Sequence, residues 1–179
     1  AAIGSYVEVT GQVSEYYNMT QLTVNAGGLT VLNETVAAPV PANVGLPATE
    51  AQRETLEGML IAPTGDFTVT DNYTTNQYAE IGLASGTTPL VNPNAVATYG
   101  SADWNTAVAD NASRAVTLDD GSSTNFLSNA NKGIALPYLT KDESIRIGAD
   151  VTFTKPVVFD YRNDTWKFQP TSQLTGGAN

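Results

Sequence analysis

The chain has 179 residues, 41% of them apolar and 15% charged, with 8 basic against 18 acidic side chains and a formal net charge of −10. It holds no cysteine and no histidine, which excludes disulfides, thiolate chemistry, Ser–His and Cys–His catalysis and histidine-based zinc sites. The Lys and Arg residues are scattered, against the dense phosphate footprint that carries most nucleic-acid affinity, and no run approaches the ~20 apolar residues of a membrane span.

Thr, Ser, Asn and Gly are abundant, which favours short strands joined by turns over long helices. Residues 6–16 are rich in β-formers with partial alternation, and Tyr17-Asn18-Met19 reads as the bend of a hairpin returning through Thr20–Val24 and Leu29–Leu32. Residues 36–49 carry Pro39, Pro41 and Pro47 and read as an extended connection and a module boundary. Leu56–Ala62 and Phe67–Tyr73 predict one long strand broken near Pro63-Thr64-Gly65, with Tyr78–Ala84 as its partner. Residues 102–111 predict the one short helix, Ala115–Leu118 a strand entering an Asp119-Asp120-Gly121 turn, and 122–142 a long loop. Ile145–Tyr161 and Thr165–Pro170 predict a closing hairpin that turns at Arg162-Asn163-Asp164.

The N-terminal and closing hairpins echo each other. An ungapped offset of 144 positions lays Ile3 on Ile147, Gly4 on Gly148, Val7 on Val151, Thr10 on Thr154, Val13 on Val157 and Tyr17 on Tyr161. The fold class expected is therefore all-β: an OB-like five-stranded barrel over 54–171 with one short helix, followed by a linker at 172–179. A hairpin unit at 1–35, closing an earlier and incomplete module, and a Pro/Ala-rich linker at 36–53 would precede it. With no signal peptide at Ala1, the chain reads as an interior piece of a longer protein.

Several stretches resemble the large extracellular bacterial nucleases of the ExeM type. They are Val9–Leu22, Glu57-Gly58-Met59-Leu60-Ile61, Thr68–Tyr73, Tyr78–Leu83, Leu118–Ser122 and Pro137-Tyr138-Leu139. The resemblance runs along nearly the whole chain. It departs at Asn18, where the family usually has Gly, and at Lys155-Pro156, where the family has a Gly-containing strand. The resemblance implies a secreted or cell-surface bacterial protein. It also implies a non-catalytic region before a metal-dependent endonuclease/exonuclease/phosphatase domain, whose own motifs have no counterpart here. Mg or Mn would belong to that absent domain.

Three sets of residues are candidate sites. Asp71, Asp119 and Asp120, with Ser122 and Ser123, offer the hard oxygen ligands that Ca²⁺ prefers, although the spacing is not that of an EF-hand. The other reading is a β-turn whose Asp side chains accept backbone N–H groups. Tyr73, Tyr78, Tyr161 and Trp166 offer base-stacking surfaces and Arg146, Arg162 and Lys167 phosphate contacts, with Tyr16 and Tyr17 as further aromatics; the alternative is that the aromatics fill the core. Glu57 and Glu80 read as strand-end charges or as partners of Arg53 or Arg114, not as an acid–base pair. The expected partners are extracellular DNA, held weakly, and a following nuclease domain of the same polypeptide. The alternative is a structural spacer with no ligand of its own, calcium-stabilised or not. No enzymatic activity is expected of the chain alone.

Overall fold

In a computed structural model, residues 1–137 and 144–172 are described. Two sheets form among them. The strands β1 (Val7–Tyr16) and β2 (Met19–Val31) make a two-stranded antiparallel ribbon. Eight further strands make one curled sheet: β3 (Ala42–Val44), β4 (Leu60–Pro63), β5 (Phe67–Asp71), β6 (Ile81–Ser85), β7 (Ala115–Leu118), β8 (Asp150–Val151), β9 (Val157–Arg162) and β10 (Thr165–Pro170).

The sheet order is β3-β4-β9-β10-β7-β6-β5-β8. β4 and β5 are the two halves of one strand, bent at Thr64-Gly65-Asp66, where Gly65 takes a φ of 86°. The sheet therefore leaves β4, runs through β9, β10, β7 and β6, and returns to β5. Counting that broken strand as the first, the order is 1-4-5-3-2-1. The parallel pair is third with fifth, β7 with β10, which is the ordering of an OB-like barrel. β3 and β8 extend the two ends.

Alternation explains the core. Ile61 of β4, Phe67 and Val69 of β5, Ile81 and Leu83 of β6, Val116 and Leu118 of β7, Val157 and Phe159 of β9, and Trp166 and Phe168 of β10 form a single buried cluster. Phe67 and Phe168 meet edge-on at 5.5 Å, and Phe159 stacks on Trp166 at 4.8 Å.

The structure departs from the sequence reading in four places. The helix α4 runs Ala102–Arg114, three residues beyond the expected end, and lies between the second and third barrel strands. Its end is set by Arg114, which is held by Asp110 one turn back at 2.7 Å. Short helices also occupy Glu50–Glu54 (α1), Thr75–Tyr78 (α2) and Pro93–Val96 (α3), so the single-helix expectation is corrected. The stretch 36–53 is not simply a linker. β3 pairs in parallel with β4, and Ala42, Val44 and Leu46 pack against the core, because the apolar residues between the prolines cover a sheet end. Finally, the closing hairpin is interrupted at residues 152–156, around Lys155-Pro156, so β8 pairs with β5 and β9 pairs with β10.

That interruption refines the internal echo. Gly4 and Gly148 both have left-handed backbones (φ 91° and 85°), at the offset of 144. The turn residues, Tyr17 and Asn18 in the first hairpin and Asn163 and Asp164 in the second, all have φ between 50° and 59°, at an offset of 146. Both turns place positive φ at two central residues, the arrangement that matches strand twist in a two-residue hairpin loop. Pro156 cannot donate to a ladder, and the second copy carries two more residues where its strand breaks.

The first hairpin is left largely uncovered. Its register sets Val7 opposite Val31, Val9 opposite Leu29, Gly11 opposite Val24 and Val13 opposite Leu22, so the apolar residues share one face. Val13, Leu22, Leu29 and Val31 are exposed. At its tip, the Thr20 N–H donates to Glu57 Oε2 of the barrel at 3.2 Å.

Candidate functional site

Strand β10 carries a buried lysine. Trp166 and Phe168 point into the core, so Lys167 between them projects from the outer face of the sheet. It is nonetheless only 2% exposed. Its Nζ donates to Glu80 Oε1 at 2.5 Å and to Asp119 Oδ2 at 2.6 Å. Glu80 arrives from the turn between α2 and β6, and Asp119 from the end of β7, whose N–H donates to the Phe168 carbonyl at 3.1 Å. Burial alone would pull the Lys167 ammonium down, but the two carboxylates outweigh it and its pKa is raised.

The Asp119-Asp120-Gly121 segment is the tight turn expected. Asp119 Oδ1 accepts the Gly121 N–H at 2.9 Å, and Asp120 Oδ1 accepts the Ser122 N–H at 2.8 Å. Asp120 is held above its ordinary pKa by burial, and the neighbouring Asp119 and Glu80 charges push the same way. Asp71 lies at the far end of β5, exposed, accepting the Tyr73 N–H at 2.9 Å. The three aspartates considered for calcium are thus split between a turn facing Lys167 and a separate strand end. Among the described residues, no group of three or more carboxylates is gathered as for a metal ion.

The aromatic and basic residues also separate. Trp166 is 4% exposed, stacked on Phe159, and its indole N–H donates to Glu50 Oε2 at 2.7 Å. Trp166 and Lys167 therefore serve the barrel and offer no free face to a base or a phosphate. Tyr161, half-buried, leans on Trp166 at 5.0 Å. Burial raises its phenol pKa, and Asp164, Glu50 and Glu54 add to the shift. Tyr78 is 37% exposed, and Arg162 is exposed at the end of β9. Tyr73 is 88% exposed, and Arg146 is exposed too. The loops carrying these two are joined, because Asn72 Nδ2 donates to the Ile145 carbonyl at 3.1 Å. Of the seven candidates, Tyr73 and Arg146 are the exposed aromatic and cation on neighbouring loops.

Two other cations are also consumed internally. Arg53, 3% exposed, donates to the carbonyls of Pro47, Ala112 and Ser113; burial lowers its pKa, while Glu50 acts in the opposite direction. Arg114 bonds Asp110 and the carbonyls of Ser85 and Thr88. Glu57 and Glu80 do not pair with either arginine: Glu57 receives the Thr20 N–H and Glu80 receives Lys167.

One feature had no counterpart in the sequence reading. Where the tip of the first hairpin meets α1 and the β9–β10 hairpin, Glu15, Asn18, Glu50, Glu54, Tyr161 and Trp166 line a cleft of about 310 Å³. A signal for it is present in the sequence, since no Lys or Arg occurs before Arg53. Compared with family models, curated proteins and solved structures, the chain matches none of them.

Proposed function

We propose that this chain is a non-catalytic accessory region of a secreted bacterial nuclease, and that it works chiefly by docking and orienting a neighbouring domain. The nuclease context rests on the sequence resemblance. The docking role is carried by one observation, the apolar face of the β1–β2 hairpin, with Val13 69% and Val31 51% exposed. A two-stranded ribbon with one apolar face is marginal in water and gains stability when that face is covered. The test is deletion of residues 1–35 from the parent nuclease. A lower melting temperature or altered processing supports docking; full activity with unchanged stability and processing defeats it.

A second reading, weak single-strand binding, is favoured by Tyr73 and Arg146 on joined loops. Labelled oligothymidylate should then show an anisotropy rise at low salt that is lost in Tyr73→Ala/Arg146→Ala. No rise at low salt removes this reading. It is the weaker of the two because Lys167, Arg53 and Arg114 are tied to internal acceptors.

A further inference from the structure

We propose that the cleft between the hairpin tip and the barrel receives a lysine or arginine side chain from an extended, basic, valine-rich segment of a partner protein. This deepens the docking reading by naming the chemistry of the partner, and it does not depend on the partner being a nuclease.

The ligand class follows from what lines the cleft. Glu15, Glu50 and Glu54 contribute three carboxylates, and among the described residues no cation lines it. The Arg53 guanidinium is 3.9 Å from Glu50 and already bonded to three backbone carbonyls. The Trp166 indole N–H is used by Glu50, so this donor is not free to hold an anion. The Tyr161 ring adds aromatic surface, which with the carboxylates favours a cation over a phosphate.

Charge complementarity extends beyond the cleft. Glu8, Glu15, Glu34 and Glu50 are the charged side chains of the first 52 residues, with no Lys or Arg among them. The strip that leads to the cleft along the hairpin includes the exposed Val13–Leu22 pair. An extended segment with Val at one position and Arg or Lys two positions on presents both side chains from one face and so fits both parts.

The test is titration of the isotope-labelled full chain with acetyl-Val-Ser-Arg-Ser-Val amide. With the peptide at about 1 mM, a concentration suited to weak contacts, the Trp166 indole and Tyr161 amide resonances should shift while the Trp104 indole stays fixed. The shifts should vanish when glutamate replaces arginine in the peptide. Glu15 and Glu54 are both exposed, so Glu15→Gln/Glu54→Gln should leave the rest of the spectrum unchanged and weaken binding at least about tenfold, roughly 1.4 kcal/mol. Equal affinity in the double variant, shifts confined to other regions, or no shifts at all would overturn the proposal. Such a result leaves the docking reading open, because that is tested separately by the hairpin deletion.

Discussion

Lys167 Nζ lies 2.6 Å from Asp119 Oδ2, and this contact joins the end of β7 to the strand parallel to it. It fills the place that an external cation would take at the Asp119-Asp120-Gly121 turn. Removing the ammonium leaves Asp119 and Glu80 facing each other with no counter-ion. Lys167→Met is therefore expected to destabilise the barrel by about 3–5 kcal/mol, the usual cost of stranding a buried charge. Adding Asp119→Asn and Glu80→Gln should recover most of the loss. Urea denaturation of the three proteins checks both steps, and a Lys167→Met protein as stable as the parent would contradict this role.

A related expectation concerns calcium. With Lys167 in place, an ion at this turn has to displace an ammonium already bonded to Asp119 and Glu80. Calcium should therefore raise the melting temperature of Lys167→Met more than that of the parent chain, and chelator should reverse the gain. Asp71→Asn, remote on β5, should not change this difference.

The dependence of stability on pH follows from the direction of each shift. Lys167 has a raised pKa, so its contribution is complete below the unfolded value of ~10.4 and is lost as pH rises through the folded value. An alkaline loss of stability should appear there and be absent in Lys167→Met. Asp120 is also raised, so its contribution is present below the unfolded carboxylate value and lost as pH rises through the folded one. At neutral pH its charge opposes folding, and Asp120→Asn should be slightly more stable than the parent, with the gain disappearing in acid. Melting temperatures across the pH range for the three proteins test both signs.

Much of the barrel was legible because its strands obey simple patterns. Val157-Val158-Phe159 and Ala115-Val116-Thr117-Leu118 alternate inward and outward, and Asn163-Asp164 is turn chemistry in its plainest form. The polar centre was not legible. Lys167 sits at an outward position of an alternating strand, where a solvated charge is the ordinary expectation. Nothing in the spacing of residues 80, 119 and 167 reveals that they meet. Arg53 was hidden for the same reason: a lone arginine after a Pro/Ala-rich stretch gives no sign of the carbonyls of Ala112 and Ser113, about sixty positions away. For the hairpin cleft, the cation-free run before Arg53 was visible, but the cleft itself depends on how the hairpin sits on the barrel, which local pattern does not encode.

Arg53 provides a sharper test of the revised boundary. Its guanidinium ties the Pro47 carbonyl to the end of α4. Arg53→Met should leave those carbonyls without their donor, at a cost of about 3 kcal/mol, each hydrogen bond to a charged group contributing ~1.5–3 before relaxation. If residues 36–53 were a plain linker, the substitution would be silent. A measured loss under ~0.5 kcal/mol, the range of ordinary surface changes, would restore the linker reading.

The first hairpin turn carries strain that its echo does not. Tyr17 holds a φ of 50°, an uncommon conformation for a bulky side chain, whereas the second turn uses Asn163 and Asp164, which tolerate it. Tyr17→Asn/Asn18→Gly supplies the residue pair favoured in this turn type and should stabilise the hairpin by about 0.5–1 kcal/mol. The ribbon is only two strands wide and largely exposed, so its amides should exchange well before those of β9 and β10. Hydrogen exchange in the parent should show this gap, and in the double variant the amides of β1 and β2 should slow while the barrel keeps its rates. Unchanged exchange in β1 and β2 would mean that contacts beyond the turn, such as the Thr20 N–H bond to Glu57, limit the opening of the hairpin.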